Sequence, residues 1–330
     1  QEDVYNHYWH PMQEELEEDL TEFIRHYLMR NGLFVNKGDV YFTLKDRVSD
    51  RDALEALKEI AIFAKHYQKL LQPSRESNRS LQMVLKRLNR LEVTTTYPFL
   101  LNCYDDYVNG KISADEFVEI VKTLENFVIR RFVCNVPTNQ LNKIFPVLYG
   151  QAQLQNSSNL SQSVKNILQA RNYPKDAEFR TRLIESKLYG AGHRAGKTKL
   201  ILESLEAAHN HKEQVPFENL SIEHVMPQTM SSWWQQNLGE SWQIDHELCL
   251  HTLGNLTLTA YNSELSNDPF TRKRINLLKS HLELNRYFER VSDWNRTEIE
   301  KRAEKLADDA LRIWPWFGED EIKPVNVQTV

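Results

Sequence analysis

In a chain patterned mostly for helices, two short strand-like runs place the tightest limits on the fold. The first is Ser221-Ile222-Glu223-His224-Val225-Met226-Pro227; the second is Leu253-Gly254-Asn255-Leu256-Thr257-Leu258, followed by Asn262 at the head of a helical segment. An acid-His pair closing a β-branched run, a second run opened by Gly-Asn, and an Asn beginning a helix sketch a ββα finger able to hold a metal ion. Consecutive strand residues point to opposite faces. Glu223 and His224 can therefore meet at one ion only where the strand ends and twists, and Pro227 is placed to end it.

Those residue types suit phosphodiester hydrolysis. The reaction needs a base for the attacking water, a divalent cation for the charge on phosphorus, and a path for the leaving oxygen. His224 is the candidate base, beside one Mg²⁺ (with Mn²⁺ as a substitute) held by one or two protein oxygens and otherwise by water and phosphate, as that hard ion prefers. Glu223, His224 and Asn262 are the candidate metal-side residues.

The same text resembles the C-terminal part of the GmrSD-type, modification-dependent (type IV) restriction endonucleases. The likeness rests on Ile222 to Gln228, the Trp-containing loop after it, Leu253 to Leu258, Asn262 to Asn267 with Phe270 and Lys273, and the closing Ile299-Glu300-Lys301-Arg302-Ala303 run to Trp314-Pro315. Upstream, Phe127-Val128-Ile129-Arg130-Arg131 with Thr138-Asn139 and Phe145, and the opening Tyr5 to Lys45, are similar to the helical region of those proteins. The resemblance implies an HNH endonuclease acting on DNA, including modified phage DNA, as the effector part of a phage-defence protein. It makes His224 the general base, Asn255 the middle residue that pins the loop between the strands, and Asn262 the third, metal-side residue. Asn267 and Glu264 are alternatives for that third place, because the wider pattern sets it farther on. It further implies a partner N-terminal NTPase and sensor domain of the same protein, marked by an Asp-Gly-Gln-Gln-Arg-type motif that this sequence does not contain. Gln1 in place of Met fits a fragment of such a longer protein.

Length and charge narrow the classes. A chain of 330 residues exceeds the usual reach of one core. The expected division is an α-helical module over 1–172 and an α+β nuclease domain over 173–330, with the ββα core at about 219–285; the fold class is mainly α. The 41 % apolar content fits globular packing, and no apolar run approaches a membrane span. A net charge of −5 argues against a wholly nucleic-acid-binding surface. Arg180 to Lys199 and Arg272 to Lys279 are locally basic, so Arg272, Lys273, Arg274 and Lys197 are the candidate DNA contacts, Lys273 reading equally as part of a solvated helix face. Three scattered cysteines, Cys103, Cys134 and Cys249, fit the cytoplasm and exclude a disulfide framework. His246, Cys249 and His251 match no standard zinc spacing. Nothing in the sequence fixes the oligomeric state.

Apolar stripes predict helices over 51–71, 78–92, 114–132 and 138–149. Ser49 or Asp50 is the expected cap ahead of Leu54, and Ser113 with Glu116 the expected capping box. The polar run 151–163 reads as a loop. Farther on, helices are expected at 176–188, 197–208, 269–285 and 296–312, with a long loop at 228–250 whose Trp233, Trp234 and Trp242 are expected to pack a mini-core, with stacking on bases as the alternative. Ala191-Gly192-His193-Arg194-Ala195-Gly196-Lys197-Thr198 satisfies a loose phosphate-loop pattern but lacks a preceding strand. Two rival functions remain beside the nuclease: a non-catalytic DNA-binding or assembly module, and a phosphate-loop NTPase.

Overall fold

The computed structural model describes residues 5–49, 52–209, 215–261 and 265–318. The protein is mainly helical, with one two-stranded antiparallel sheet among the described residues. No helix of the described residues is long and apolar enough to cross a membrane.

The helical half is organised around α1 (Tyr97–Val108) and α2 (Ala114–Val133). Nine of the residues of α1 are buried, from Tyr97 to Asp106, and the polar Asn102 and Asp106 are among them, so its burial is not confined to an apolar face. Ser113 caps α2 by accepting from the Glu116 amide at 3.1 Å. The other half of the expected capping box is not made. Glu116 instead accepts from the amides of Leu160 and Ser161, at 2.9 and 3.3 Å, and so helps to start a second helix. That helix, Leu160–Gln169, with Leu141–Asn156 before it, replaces the loop expected over 151–163. Asn159 caps it, and Leu160, at the end of the polar run, opens a buried stripe that Val164 and Leu168 continue beyond it. The cap before Leu54 is Asp52, whose carboxylate accepts from the amides of Leu54 and Glu55; Ser49 instead ends the preceding helix, and Asp50 lies outside the described residues.

The Arg-Arg pair at the end of α2 acts as a staple. Arg130 is fully buried and donates to the carbonyls of Trp314 and Pro174 and to the Asp176 carboxylate. Arg131 donates to the carbonyls of Arg171, Asn172 and Pro137. Trp314 returns the contact, its indole nitrogen donating to Glu125 at 3.0 Å. One apolar cluster accordingly runs from Met12 through α2 to Leu205, Leu256, Leu258 and Trp314, on both sides of position 172.

The sheet pairs β1 (Ser221–His224) with β2 (Leu256–Thr259) in the register Ser221 to Thr259, Ile222 to Leu258, Glu223 to Thr257 and His224 to Leu256. The expected loop at 228–250 holds two short helices, Ser232–Leu238 and Trp242–Cys249. The expected mini-core forms in part: Trp234 is fully buried, donates to the Asp268 carbonyl, and shares a second cluster with Val225, Met226, Phe270, Phe288 and Trp294, while Trp233 packs against it half-buried and Trp242 stands outside it. The helix expected over 269–285 breaks into α3 (Phe270–Leu278) and a single turn, Glu283–Arg286. The last helix, α4 (Arg296–Ile313), clasps the turn ahead of β2. Its backbone runs so close that a Cβ on Gly254 would lie 2.1 Å from the Ile299 carbonyl oxygen. Arg302, buried in α4, donates to the carbonyls of Gly254 and Leu256 at 2.8 and 2.7 Å.

Candidate functional site

His224 is the last residue of β1, and the loop beyond it is held from two sides. Asn255 accepts from the Met226 amide at 2.7 Å and donates to the Met226 and Leu250 carbonyls at 2.9 Å each. Its oxygen also accepts from the Trp294 indole at 3.0 Å. A buried amide has few other ways to satisfy both ends. His246 Nε2 lies 2.9 Å from the Pro227 carbonyl oxygen and closes the far side of the same loop. The strand therefore ends at His224 in a fixed turn.

The two faces of the sheet separate Glu223 from His224. Cross-strand neighbours share a face, so Glu223 lies with Thr257 and His224 with Leu256. On the first face Glu223 Oε1 receives Lys273 Nζ at 2.6 Å, and the same ammonium donates to the His224 carbonyl at 2.9 Å. Both side chains are almost wholly buried. Burial pushes the Glu223 carboxyl up and the Lys273 ammonium down, each against the pull of the other. Two expectations change here. Lys273 is neither a solvated residue nor a phosphate contact, because a buried carboxylate requires its counter-ion. Glu223 already spends one oxygen on that ammonium, which leaves it poorly placed as a metal ligand.

On the second face His224 meets two aromatic rings. Its Nε2 lies 3.1 Å from His251 Nδ1. Tyr189 stands edge-on to His224, with centroids 4.7 Å apart, and stacks on His251 at 5.6 Å. These rings are brought together by backbone pairing: the Leu188 and Tyr189 amides donate to the His251 carbonyl, and Lys187 bridges to Thr252. His224 is 5 % exposed, whereas Tyr189 and His251 are half-buried. Burial holds the His224 imidazole down to about 3, helped by His251, Lys273 and His246. It is therefore neutral at physiological pH and able to accept a proton, but a weak base for as long as it stays so buried.

The remaining expected site residues are dispersed. Asn262 and Glu264 lie outside the described residues, and Asn267 is exposed in the turn before α3. Arg274 donates to the carbonyls of Phe288 and Glu289, tying α3 to the next turn, while Arg272 is exposed near Asp268. Lys197 is half-buried over the Phe132 ring, and burial lowers its pKa. The phosphate-loop pattern fails on its own residues. Thr198 is fully buried and donates to the Leu188 carbonyl, and the helix Asp176–Glu185 occupies the place of the required strand. Nor do His246, Cys249 and His251 form a metal site, since the two histidines are engaged elsewhere. Among the described residues no group of three His, Cys, Asp or Glu side chains gathers around a point that could hold an ion. The described donors thus do not make a metal site by themselves.

Residues 173–309 match the family model of the GmrSD restriction endonucleases, C-terminal domain. This segment is of the GmrSD C-terminal type. It contains the sheet, Asn255, the Glu223–Lys273 pair, and His224 with the two rings that meet it. No curated protein matches the chain. The sequence offered His251 only as a member of the His246, Cys249 and His251 group, not as a partner of His224, and gave no sign of Tyr189; the further signal for His251 was its place two residues before Leu253-Gly254-Asn255.

Proposed function

We propose that the GmrSD-type segment hydrolyses DNA phosphodiester bonds as an HNH endonuclease, the effector part of a modification-dependent restriction protein. The observation that carries this reading is an imidazole set at the end of a strand, beside a turn that Asn255 pins from both sides. Two paired strands followed by α3 support a ββα-metal finger.

In this mechanism a water beside His224 loses its proton to the free ring nitrogen as its oxygen bonds to phosphorus. The bond from phosphorus to the leaving oxygen then breaks, and that oxygen takes a proton from solvent. Asn255 and Lys273 do no chemistry; they hold the turn and the His224 carbonyl in place. Mg²⁺, or Mn²⁺ in its stead, would neutralise charge on the phosphoryl oxygens. Its protein oxygens would come from Asn262 and its neighbours rather than from Glu223. DNA approach falls to exposed basic groups such as Arg272, while modification sensing and NTP turnover belong to another part of the protein.

The burial of His224 favours a second reading, a non-catalytic DNA-binding or assembly module. Plasmid cleavage in Mg²⁺ or Mn²⁺ by wild type and His224→Ala separates the two. Nuclease action requires cleavage by the wild type, chelator sensitivity, and loss of cleavage with DNA binding intact in the variant.

A further inference from the structure

The His224–His251 contact has a direction, and the direction decides which nitrogen can accept a proton. Two neutral imidazoles 3.1 Å apart share one hydrogen. Either His224 Nε2–H donates to His251 Nδ1, or His251 Nδ1–H donates to His224 Nε2. The first arrangement puts both rings in the Nε2–H form, which free imidazole side chains prefer; the second forces both into the less favoured Nδ1–H form. The hydrogen bond at one ring nitrogen sets the state of the other. Among the described residues no group is hydrogen-bonded to His224 Nδ1.

We propose that His251 is a positioning residue: its Nδ1 accepts from His224 Nε2 and so fixes the His224 tautomer that carries its lone pair on Nδ1. Three features hold His251 to this task. Its carbonyl is anchored by the amides of Leu188 and Tyr189, its ring is stacked on Tyr189, and Tyr189 braces the His224 ring at a right angle. The partner ring is therefore fixed by backbone and by stacking, independently of DNA. The inference deepens the nuclease reading by naming the basic atom, Nδ1 of His224. It rests on that reading only for the consequence in catalysis.

Long-range proton–nitrogen correlation spectra of histidine-labelled protein, with His224→Gln to assign the signals, read the tautomer directly. The expected result is a protonated Nε2 and a bare Nδ1 on His224. A protonated Nδ1 overturns the proposal, whatever the protein's activity. In the cleavage arm, His251→Leu should lower kcat on the order of 10- to 100-fold with KM nearly unchanged, the range typical for a group that orients a reacting one. His251→Asn, whose amide oxygen can stand where Nδ1 stood, should restore both the tautomer and most of kcat. Equal kcat in His251→Leu and wild type, with both folded by circular dichroism, overturns the positioning role. A correct tautomer in a protein that never cleaves DNA counts against the nuclease reading alone.

Discussion

Truncating Asn255 should cost far more stability than its small size suggests. The side chain is fully buried and makes four hydrogen bonds, with the Met226 amide, the Met226 and Leu250 carbonyls and the Trp294 indole. Asn255→Ala leaves all four partners unpaired in the space between β2, α4 and the second apolar cluster. Each buried, unsatisfied group costs about 1–3 kcal/mol, so a dry cavity would cost at least about 4 kcal/mol. A water entering the vacated space could satisfy two or three of them. The expected loss is then about 3–5 kcal/mol, a large share of the roughly 5–15 kcal/mol that holds a typical protein folded. Urea unfolding followed by tryptophan fluorescence measures it, because Trp234 and Trp294 lie buried in the adjoining cluster. The midpoint should fall with the slope preserved. Asn255→Asp separates hydrogen bonding from volume. It keeps the shape and both accepting roles but turns a carboxylate oxygen towards two carbonyls, so its loss at pH 7 should rival that of the alanine variant. A loss below about 1 kcal/mol in Asn255→Ala would show that the turn after His224 is organised by something else.

Other consequences follow from the same contacts. Gly254→Ala should destabilise by at least about 3 kcal/mol, read as a lowered Tm, because its Cβ would stand 2.1 Å from a backbone oxygen of α4 rather than a movable side chain. Lys273→Met should cost about 3–5 kcal/mol in urea by leaving Glu223 buried without its counter-ion. Adding Glu223→Gln should recover most of that, and no recovery would mean that Glu223 has another charged partner. His26 is buried against the Tyr67 hydroxyl and held down to about 4 by burial, below the ordinary 6.5 of the unfolded chain. A depressed histidine stabilises the fold above pH 6.5, and that contribution is lost as pH falls through 4. The difference amounts to about 3 kcal/mol between those limits. Unfolding at pH 7 and pH 4.5 should show a drop smaller by about 2–3 kcal/mol in His26→Asn than in wild type, the rest coming from other buried histidines such as His224.

The helices were readable wherever one face alone is buried. Arg296–Ile313, which buries Ile299, Arg302, Ala303, Leu306, Ala307 and Ala310, follows such a 3.6-residue period, whereas Ala114–Val133 does so only in its first half, since every residue from Thr123 to Arg131 is buried. Tyr97–Val108 shows no such stripe because it is buried on nearly every side, Asn102 and Asp106 included. The start of Leu160–Gln169 was hidden at the end of a Gln-, Asn- and Ser-rich run, where Asn159 serves as its cap rather than as part of a loop. The two strands were visible because β-branched and apolar residues end at Pro227 and begin after Gly254-Asn255. The site's partners were less legible, since each depends on pairs far apart in the chain. Lys273 meets Glu223 across 50 positions, and His224 meets His251 across 27. A basic run on a helix gives no sign that its middle residue turns inward to neutralise a buried carboxylate. Tyr189 enters through a backbone pairing that has no sequence signature at all.

In the proposed reaction one neutral imidazole, that of His224, takes the proton from water. Nicking of supercoiled plasmid by wild type and His224→Ala, at matched folding and matched DNA binding, tests it most directly. Mg²⁺- or Mn²⁺-supported nicking by the wild type is expected, abolished by chelator and reduced to background in the variant. Nicking by His224→Ala at the wild-type rate would contradict it.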